Sequence, residues 1–323
     1  MDMKKLIILL AAVAFMASAS LMAQPKPIDY SPSATYMFAQ RDTCDLFMDV
    51  YEPSPGSETT FEGKEKPTIL WLFGGGFIGG ERSNPKYLSW FKLMNENGYR
   101  IITADYRPAL KGKKMGFGLF QLIPTAKNTI EACFEVGVQD CFSAVVYIIE
   151  NKDALGVDPD NIVLSGSSAG AMIALTAEWE LVNRMPNAEV LPEGWNFAGV
   201  MSFAGAIMSN RGKPKWDKEP CQQLLFHGTE DGTVFYKKLQ VGKLGIFGSS
   251  ALADRLKKQN YPYVIVRFAE HQHDIAESML YLWPWEKRWL ETNIIQGHKR
   301  IADEWTLDPS LPSWGSATLD SLY

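Results

Sequence analysis

The sequence has little cysteine and no excess of basic residues, and both shortages exclude classes of protein. Four cysteines in 323 residues are too few for a disulfide scaffold, and their spacing matches no zinc-binding pattern. A net charge of −5 offers no basic surface for nucleic acid, so we expect no nucleic-acid partner. The phosphate-binding pattern G-x-x-x-x-G-K-[ST] is absent, and no internal repeat or second domain boundary is visible. The hydrophobic share of 46% instead predicts a folded domain with a sizeable core.

Long apolar runs are missing beyond the N-terminus, where one short run has the features of a secretory signal. Two lysines precede the apolar residues Leu6 to Phe15, and small residues follow, with cleavage expected after Ala19 or Ala23. A membrane anchor would need about 20 apolar residues, more than this run supplies. We therefore expect a signal peptide at 1–23 and an exported protein, periplasmic or extracellular, with no membrane span after signal removal.

Export would place the cysteines in an oxidising compartment. Buried free thiols and one structural disulfide are both open interpretations. The residues concerned are Cys44, Cys133, Cys141 and Cys221.

Short apolar runs alternate with helical patterns along the rest of the chain. The predicted strands are 45–51, 68–73, 100–105, 162–164, 198–203, 223–227 and 263–268, and the predicted helices are 87–97, 138–151, 169–177, 250–259 and 281–293. This alternation predicts an α/β fold, a doubly wound, mainly parallel β-sheet with helices on both faces. We expect residues 24–323 to form a single domain with its core at about 45–295 and a C-terminal tail at 296–323.

The stretch Gly166-Ser167-Ser168-Ala169-Gly170 reads G-x-S-x-G between a predicted strand and a predicted helix. At such a turn a serine occupies a strained backbone that exposes its hydroxyl at the carboxyl edge of the sheet. We expect glycine at both ends because a β-carbon would collide with the neighbouring strand or helix. The pattern alone is weak, since a glycine-rich turn without chemistry has the same sequence.

A second glycine-rich segment, Gly74-Gly75-Gly76-Phe77, follows the predicted strand 68–73. Consecutive glycines let the backbone approach a ligand and direct N–H groups toward it. A flexible turn without function is the alternative interpretation.

Three candidate catalytic side chains each follow a different predicted strand, in the order Ser168, Asp231 and His273. Sites in open parallel sheets form beyond the carboxyl ends of the strands. A serine hydroxyl needs a base to become a good nucleophile, and histidine serves as that base near neutral pH. A carboxylate orients the imidazole and stabilises its charged form.

With these motifs the chain resembles the α/β-hydrolases, specifically the carboxylesterase group with an H-G-G-G-type oxyanion loop. The resemblance rests on Gly74-Gly75-Gly76-Phe77, Asp105-Tyr106-Arg107, Gly166-Ser167-Ser168-Ala169-Gly170, His227-Gly228-Thr229-Glu230-Asp231 and His273. It implies Ser168 as nucleophile, His273 as base and Asp231 as the orienting acid. It also implies backbone oxyanion donors at Gly75, Gly76 and Ala169, and neither cofactor nor metal.

Phe73 stands where this group usually has histidine. That residue supports the loop and takes no proton in the chemistry, so we expect activity to survive. Because phenylalanine can only pack, the rigidity of the loop and the choice of substrate are left open. The segments 108–124 and Gly242–Gly248 are also unusual for the group, and we expect the first to cover the site.

The remaining polar candidates have structural interpretations. His227 ends a predicted strand, and we interpret it as structural. His271 lies two residues before His273 and is the alternative base. A metal site formed by His271, His273 and Asp274 is disfavoured because no further ligands lie nearby in the sequence.

The function that we predict is an exported serine hydrolase that cleaves carboxylic esters through an acyl-enzyme. The substrate expected is a small-molecule or carbohydrate ester, and removal of acetyl groups from carbohydrate is the specific hypothesis. The same machinery cleaves amides, so a serine peptidase or amidase of this fold is one alternative. A catalytically inactive hydrolase fold used for binding is the other, with Phe73 as its support.

Overall fold

The computed structural model describes residues 28–111 and 123–307. The predicted signal peptide lies outside these residues, and so does most of the unusual 108–124 segment.

The strands are β1 (Ala34–Gln40), β2 (Asp45–Tyr51), β3 (Thr60–Phe61), β4 (Lys64–Glu65), β5 (Thr68–Leu72), β6 (Ile101–Ala104), β7 (Ile162–Ser167), β8 (Gly199–Phe203), β9 (Ala206–Ser209), β10 (Gln222–Gly228), β11 (Lys238–Val241), β12 (Leu244–Gly248), β13 (Tyr263–Phe268) and β14 (Ile301–Thr306). The helices are α1 (Pro85–Glu96), α2 (Ile123–Glu150), α3 (Lys152–Leu155), α4 (Ala169–Val182), α5 (Ser249–Lys258) and α6 (Met279–Trp289), and a π-helical segment, Leu290–Ile295, continues α6. Short 3₁₀ segments lie at Pro159–Asn161, Pro186–Val190 and His273–Glu277.

Nine strands form the main sheet in the order β1-β2-β6-β5-β7-β8-β10-β13-β14. The β1–β2 and β2–β6 pairs are antiparallel, and every pair from β6 to β14 is parallel. Helices cover the sheet, with α2 packed on α4 and α1 packed on α6. The predicted mainly parallel α/β architecture is therefore confirmed.

The central strands consist mainly of apolar residues because both of their faces are covered. Every residue of β5, β7 and β8 is buried. Helix α4 is buried at nearly every position from Ala169 to Leu181, so it shows no polar face. The turn between β7 and α4 therefore joins two elements that are buried on all sides, within the close-packed core.

The sheet extends beyond the core range of 45–295 at both ends. Strand β1 lies upstream of this range, and β14 lies in the segment expected to be a tail. Both are edge strands with few buried positions, so neither carries the strong hydrophobic pattern of a central strand. The glycine-rich stretch Gly242–Gly248 contains β12, which pairs with β9 and β11 in a separate three-stranded sheet.

Helix α2 begins at Ile123 and is longer than the predicted helix 138–151. Its segment Glu131–Glu150 is long and apolar enough, by length and composition, to cross a membrane, in contrast to the expectation that no such segment follows the N-terminal run. Buried core helices pass the same test, and this segment places Val138, Phe142 and Val145 in the core. It also carries the buried carboxylate of Asp140.

The thiols of Cys44, Cys141 and Cys221 are free in this structure. Cys44 is exposed, and the other two are buried. Burial raises the pKa of the Cys141 and Cys221 thiols, which keeps them protonated.

We expect that Gly170→Ala will destabilise the protein by more than about 3 kcal/mol or prevent folding, because the added β-carbon would lie 2.1 Å from the Leu72 carbonyl oxygen. Gly79→Ala is the matched control, since its β-carbon would meet nothing within 4 Å. Urea unfolding of both variants measures the difference. Equal stability of the two would contradict this packing at the start of α4.

Candidate active site

The candidate site lies at the carboxyl edge of the main sheet. Four strands that end there, β5, β7, β10 and β13, lie close together in the sheet, with only β8 between them. The glycine loop follows β5, Ser168 follows β7, Asp231 follows β10 and His273 follows β13. Parallel strands direct all of these segments to one edge, which brings together residues that are distant in the sequence.

Ser168 occupies the strained turn that the motif predicts. Its φ of 50° and ψ of −117° lie outside the usual regions for a non-glycine residue. The Ser168 N–H donates to the Phe203 carbonyl at 2.9 Å, which fixes the turn to β8. A β-carbon at Gly166 would lie 2.5 Å from the Gly170 carbonyl carbon, and one at Gly170 would strike Leu72. The predicted need for glycine on both sides of the serine is confirmed.

The structure brings the three predicted catalytic side chains into one hydrogen-bonded chain. His273 Nε2 lies 2.8 Å from Ser168 Oγ, and His273 Nδ1 lies 2.7 Å from Asp231 Oδ2. The carboxylate requires a proton on Nδ1, so a neutral His273 presents the lone pair of Nε2 to the serine hydroxyl. This geometry permits the hydroxyl proton to pass to the imidazole.

Asp231 is a buried carboxylate that four donors hold in place. Oδ1 accepts from the N–H groups of Thr233 at 2.8 Å and Val234 at 3.0 Å. Oδ2 faces His273 Nδ1 and also His227 Nε2, which lies 3.2 Å away. Burial raises the pKa of Asp231, but the charge of His273 and the hydrogen bonds from both histidines outweigh it and hold the pKa well below its ordinary value. Asp231 is therefore ionised at neutral pH.

The pKa of His273 is raised above its ordinary value of 6.5. Burial alone would lower the pKa of this imidazole, but the charge and hydrogen bond of Asp231 outweigh burial. The carboxylates of Glu277 and Asp274 act in the same direction. A nearby fixed negative charge thus stabilises the imidazolium that would form when His273 takes a proton.

His271, the alternative base, has a different partner. Its Nδ1 lies 2.5 Å from Asp274 Oδ2, and the other oxygen of that carboxylate accepts from the Gln272 N–H at 2.8 Å. These contacts fix the loop that carries His273. Within residues 28–111 and 123–307, no group of three or more His, Cys, Asp or Glu side chains is arranged to hold a metal ion.

The glycine loop approaches Ser168 closely. A β-carbon at Gly74 would lie 3.3 Å from Ser168 Cβ, and Gly76 has a φ of +60°. A β-carbon at Gly75 would lie 2.1 Å from the Gly79 carbonyl oxygen, because the loop folds back on itself there. Ala169 begins α4 directly after the serine, so its N–H points out of a helix N-terminus.

Phe73 and two tyrosines anchor the glycine loop. The Phe73 ring is buried and stacks on Tyr106 with 4.4 Å between ring centroids. The Tyr106 hydroxyl donates to the Phe73 carbonyl at 2.8 Å, and the Gly74 N–H donates to the Tyr87 hydroxyl at 2.9 Å. Tyrosine hydroxyls therefore fix the backbone on both sides of the Phe73–Gly74 peptide bond, although no histidine is present.

Some residues that contact the site could not be recognised from the sequence. The Ser167 hydroxyl donates to the Ala276 carbonyl at 2.5 Å, which ties the serine turn to the 3₁₀ segment that begins at His273. Lys86 pairs with Glu277 at 2.7 Å and joins α1 to the same segment. Only the position of Ser167 beside the nucleophile could have signalled such a role, because the other contacts join residues that are distant in the sequence.

Arg107 of the Asp105-Tyr106-Arg107 motif has a structural partner. Its guanidinium forms two hydrogen bonds of 2.8 Å to the buried carboxylate of Asp140 on α2. Asp105 pairs with Arg82 at 2.7 Å. These ion pairs fix the segment that carries Tyr106, and through it the glycine loop.

The model of the carboxylesterase family matches residues 17–180, just over half of the chain. This chain belongs to the carboxylesterase family. The matched range contains the glycine loop and the Ser168 turn, whereas Asp231 and His273 lie beyond it.

Related proteins of known name match this chain over only part of their own length. Para-nitrobenzyl esterase of Bacillus subtilis is 30% identical over 46% of this chain and 27% of its own length. Human arylacetamide deacetylase-like 3 is 26% identical over 49% of this chain and 32% of its own length. The matches thus span about a quarter to a third of these relatives.

Solved structures of esterase 2 from Thermogutta terrifontis resemble the carboxylesterase-family chain over most of its length. One has a TM-score of 0.57 at 19% identity and covers 84% of this chain and 98% of its own. At that identity the likeness concerns the fold, and it confirms the predicted α/β-hydrolase fold.

We expect Tyr87→Phe to lower the free energy of unfolding by about 1–3 kcal/mol, because the buried Gly74 N–H would lose its acceptor. Tyr281→Phe is the control, since Tyr281 is 53% exposed. Urea unfolding compares the two variants. A Tyr87→Phe variant as stable as the control would mean that this hydroxyl does not anchor the glycine loop.

Proposed function

We propose that this chain is a serine hydrolase that cleaves carboxylic esters. The observation that carries the proposal is the hydrogen-bonded chain Ser168–His273–Asp231, with contacts of 2.8 Å and 2.7 Å. Membership of the carboxylesterase family supports ester hydrolysis as the reaction.

In the proposed reaction, Ser168 Oγ attacks the ester carbonyl carbon while its proton passes to His273 Nε2. The imidazolium that forms is stabilised by the ionised Asp231 at its Nδ1. His273 then protonates the leaving alcohol, and an acyl group remains on Ser168. His273 then deprotonates a water molecule, which attacks the acyl-enzyme. His273 returns this proton to Ser168 Oγ as the acyl–oxygen bond breaks, so the carboxylic acid is released and the serine is regenerated.

The negative oxygen of each tetrahedral intermediate needs donors that are already in place. We assign this role to the backbone N–H groups of Gly75, Gly76 and Ala169. The loop approaches Ser168 closely and is anchored through the Gly74 N–H and the Phe73 carbonyl, which supports a preformed oxyanion hole. Each such donor contributes about 3–4 kcal/mol of transition-state stabilisation in enzymes of this type.

The substrate that we propose is a small-molecule or carbohydrate ester, with removal of acetyl groups from carbohydrate as the specific reaction. The signal-like residues 1–23 support action outside the cytoplasm, where acetylated polysaccharides would be the carbohydrate substrate. The ordered triad supports catalysis over a binding protein built on an inactive hydrolase fold. A panel of p-nitrophenyl esters of graded chain length, with acetate release from acetylated xylan measured in parallel, tests this choice. No acetate from the polymer, alongside turnover of the short esters, would restrict the proposal to small molecules.

We expect Ser168→Ala to lower kcat by about 10⁴–10⁶ while the fold is retained, because the nucleophile is lost. Hydrolysis of p-nitrophenyl acetate and circular dichroism measure the two effects. Ser165→Ala is the neighbouring control, since its hydroxyl donates to the Met201 carbonyl inside the sheet. Turnover of Ser168→Ala near the wild-type rate would exclude the serine mechanism.

Substitution of each histidine distinguishes the two candidate bases. His273→Ala should abolish turnover, because it removes the imidazole that lies 2.8 Å from Ser168 Oγ and would take its proton. His271→Ala should reduce kcat less than about tenfold, since His271 contacts Asp274 and thereby supports the loop that carries His273. The reverse pattern would reassign the base to His271.

The pH profile of kcat/KM should fall on the acid side with a midpoint above 6.5. Only neutral His273 accepts the serine proton, and its raised pKa keeps it charged to a higher pH than an ordinary histidine. Activity is therefore present above this midpoint and lost below it. Glu277→Gln should move the midpoint downward, because one of the negative groups that raise the pKa is removed. A wild-type midpoint at or below 6.5 would contradict this electrostatic description.

A further inference from the structure

His227 is a fully buried histidine to which the proposed reaction assigns no step. It lies near the end of β10, four residues before Asp231. Its Nδ1 lies 2.8 Å from Ser249 Oγ, and its Nε2 lies 2.9 Å from the Val234 carbonyl oxygen. The same Nε2 lies 3.2 Å from Asp231 Oδ2. Both ring nitrogens therefore have polar partners, and one of these is the carboxylate that orients His273.

The partners of His227 determine which nitrogen carries the proton. A carbonyl oxygen and a carboxylate oxygen only accept hydrogen bonds, so Nε2 must donate to them. Ser249 Oγ lies 2.8 Å from Nδ1 but 3.4 Å from the Gly205 carbonyl oxygen. With the ring proton on Nε2, Nδ1 is an acceptor, and the Ser249 hydroxyl is a donor within hydrogen-bond distance of it.

We propose that His227 and Ser249 are positioning residues for the triad, an inference that rests on the proposed hydrolase function. Ser249 donates to His227 Nδ1 and fixes the tautomer, and His227 Nε2–H then holds Asp231 Oδ2 in the direction of His273. The hydrogen-bonded chain thus extends from Ser249 at the start of α5, through His227, Asp231 and His273, to Ser168.

Two donors share Asp231 Oδ2, and this sharing has a measurable consequence. His227 Nε2–H takes part of the carboxylate charge that His273 would otherwise receive. Removing this donor leaves more negative charge facing the imidazolium, so His273 should hold its proton to a higher pH. The substitution leaves the other titratable groups near His273 and His227 in place. Asp274 and Glu277 face His273. The Tyr236 ring packs edge-on against His227, and the Tyr236 hydroxyl accepts a hydrogen bond from Arg267.

Three variants test the proposal. His227→Phe keeps a buried ring and removes the donor, whereas His227→Gln keeps an N–H that reaches toward Asp231. Ser249→Ala keeps the histidine but removes the hydroxyl that fixes its tautomer. Ser250→Ala and His298→Gln are controls, because the first replaces the adjacent hydroxyl and the second an exposed histidine.

The first measurement is the titration of His273 by NMR in the unreacted protein, which requires no turnover. We expect His227→Phe to raise the midpoint by about 0.5–1 pH unit, while His227→Gln leaves it near wild type. Ser249→Ala should also raise the midpoint of His273, by less than His227→Phe does. A midpoint unchanged in His227→Phe, or shifted equally in the Phe and Gln variants, would overturn the proposal.

The second measurement is kinetic. His227→Phe should lower kcat about ten- to a hundredfold and change KM less than about twofold, with His227→Gln retaining most of the rate. If His227→Phe does not fold, the Ser249→Ala variant provides the test. A kcat about two- to fivefold below that of the wild type supports the proposal, and a kcat equal to that of Ser250→Ala overturns it. Absence of ester hydrolysis by the wild type would refute the proposed function alone, since the NMR titration still tests the positioning role.

Discussion

A carboxylate without access to water is stable only when donors surround it, and the side chain of Asp231 has no exposed surface. Its four donors come from the turn that follows β10, from His227 at the end of β10 and from His273 beyond β13. The buried charge therefore fixes the relative position of two strand ends. Because it also holds the proton on His273 Nδ1, it determines which ring nitrogen faces Ser168.

The remaining contacts of the site attach further segments to this charge. The Ser167 hydroxyl ties the serine turn to the carbonyl of Ala276, in the 3₁₀ segment that begins at His273. Lys86 and Glu277 join α1 to that segment, and the Tyr87 hydroxyl joins α1 to the glycine loop. Ser168, His273 and the glycine loop are thus held together by hydrogen bonds as well as by the sheet. This suits the proposed reaction, in which the site must not reorganise.

The parts of the structure that follow from local pattern could be predicted from the sequence. Strands β2 and β13 coincide with the expected segments, because strong apolar runs and their ends are local features. The G-x-S-x-G turn was also predictable, since its glycines are required by close approach to Leu72 and to the start of α4. Edge strands β1 and β14 were missed because half-exposed strands carry little hydrophobic signal.

Long-range partners could not be predicted in the same way. The sequence leaves the rigidity of the glycine loop open, because Phe73 stands in place of the usual histidine. Tyr87 and Tyr106 supply the anchoring hydroxyls from segments 13 and 33 residues away. Likewise, nothing in the pattern His227-Gly228-Thr229-Glu230-Asp231 indicates that Ser249, 22 residues later, completes the contacts of His227. Such pairings depend on the tertiary fold rather than on spacing.

In the proposed mechanism, Ser168 forms an acyl-enzyme, with His273 as the base and Asp231 as the residue that orients it. The most direct measurement is rapid mixing with p-nitrophenyl acetate, acid quenching and mass spectrometry of the digested protein. We predict a burst of p-nitrophenol of about one equivalent per active site, with a single acetyl group on Ser168. Acetylation of another residue, or turnover with no covalent intermediate in a protein that retains Ser168, would contradict the proposed mechanism.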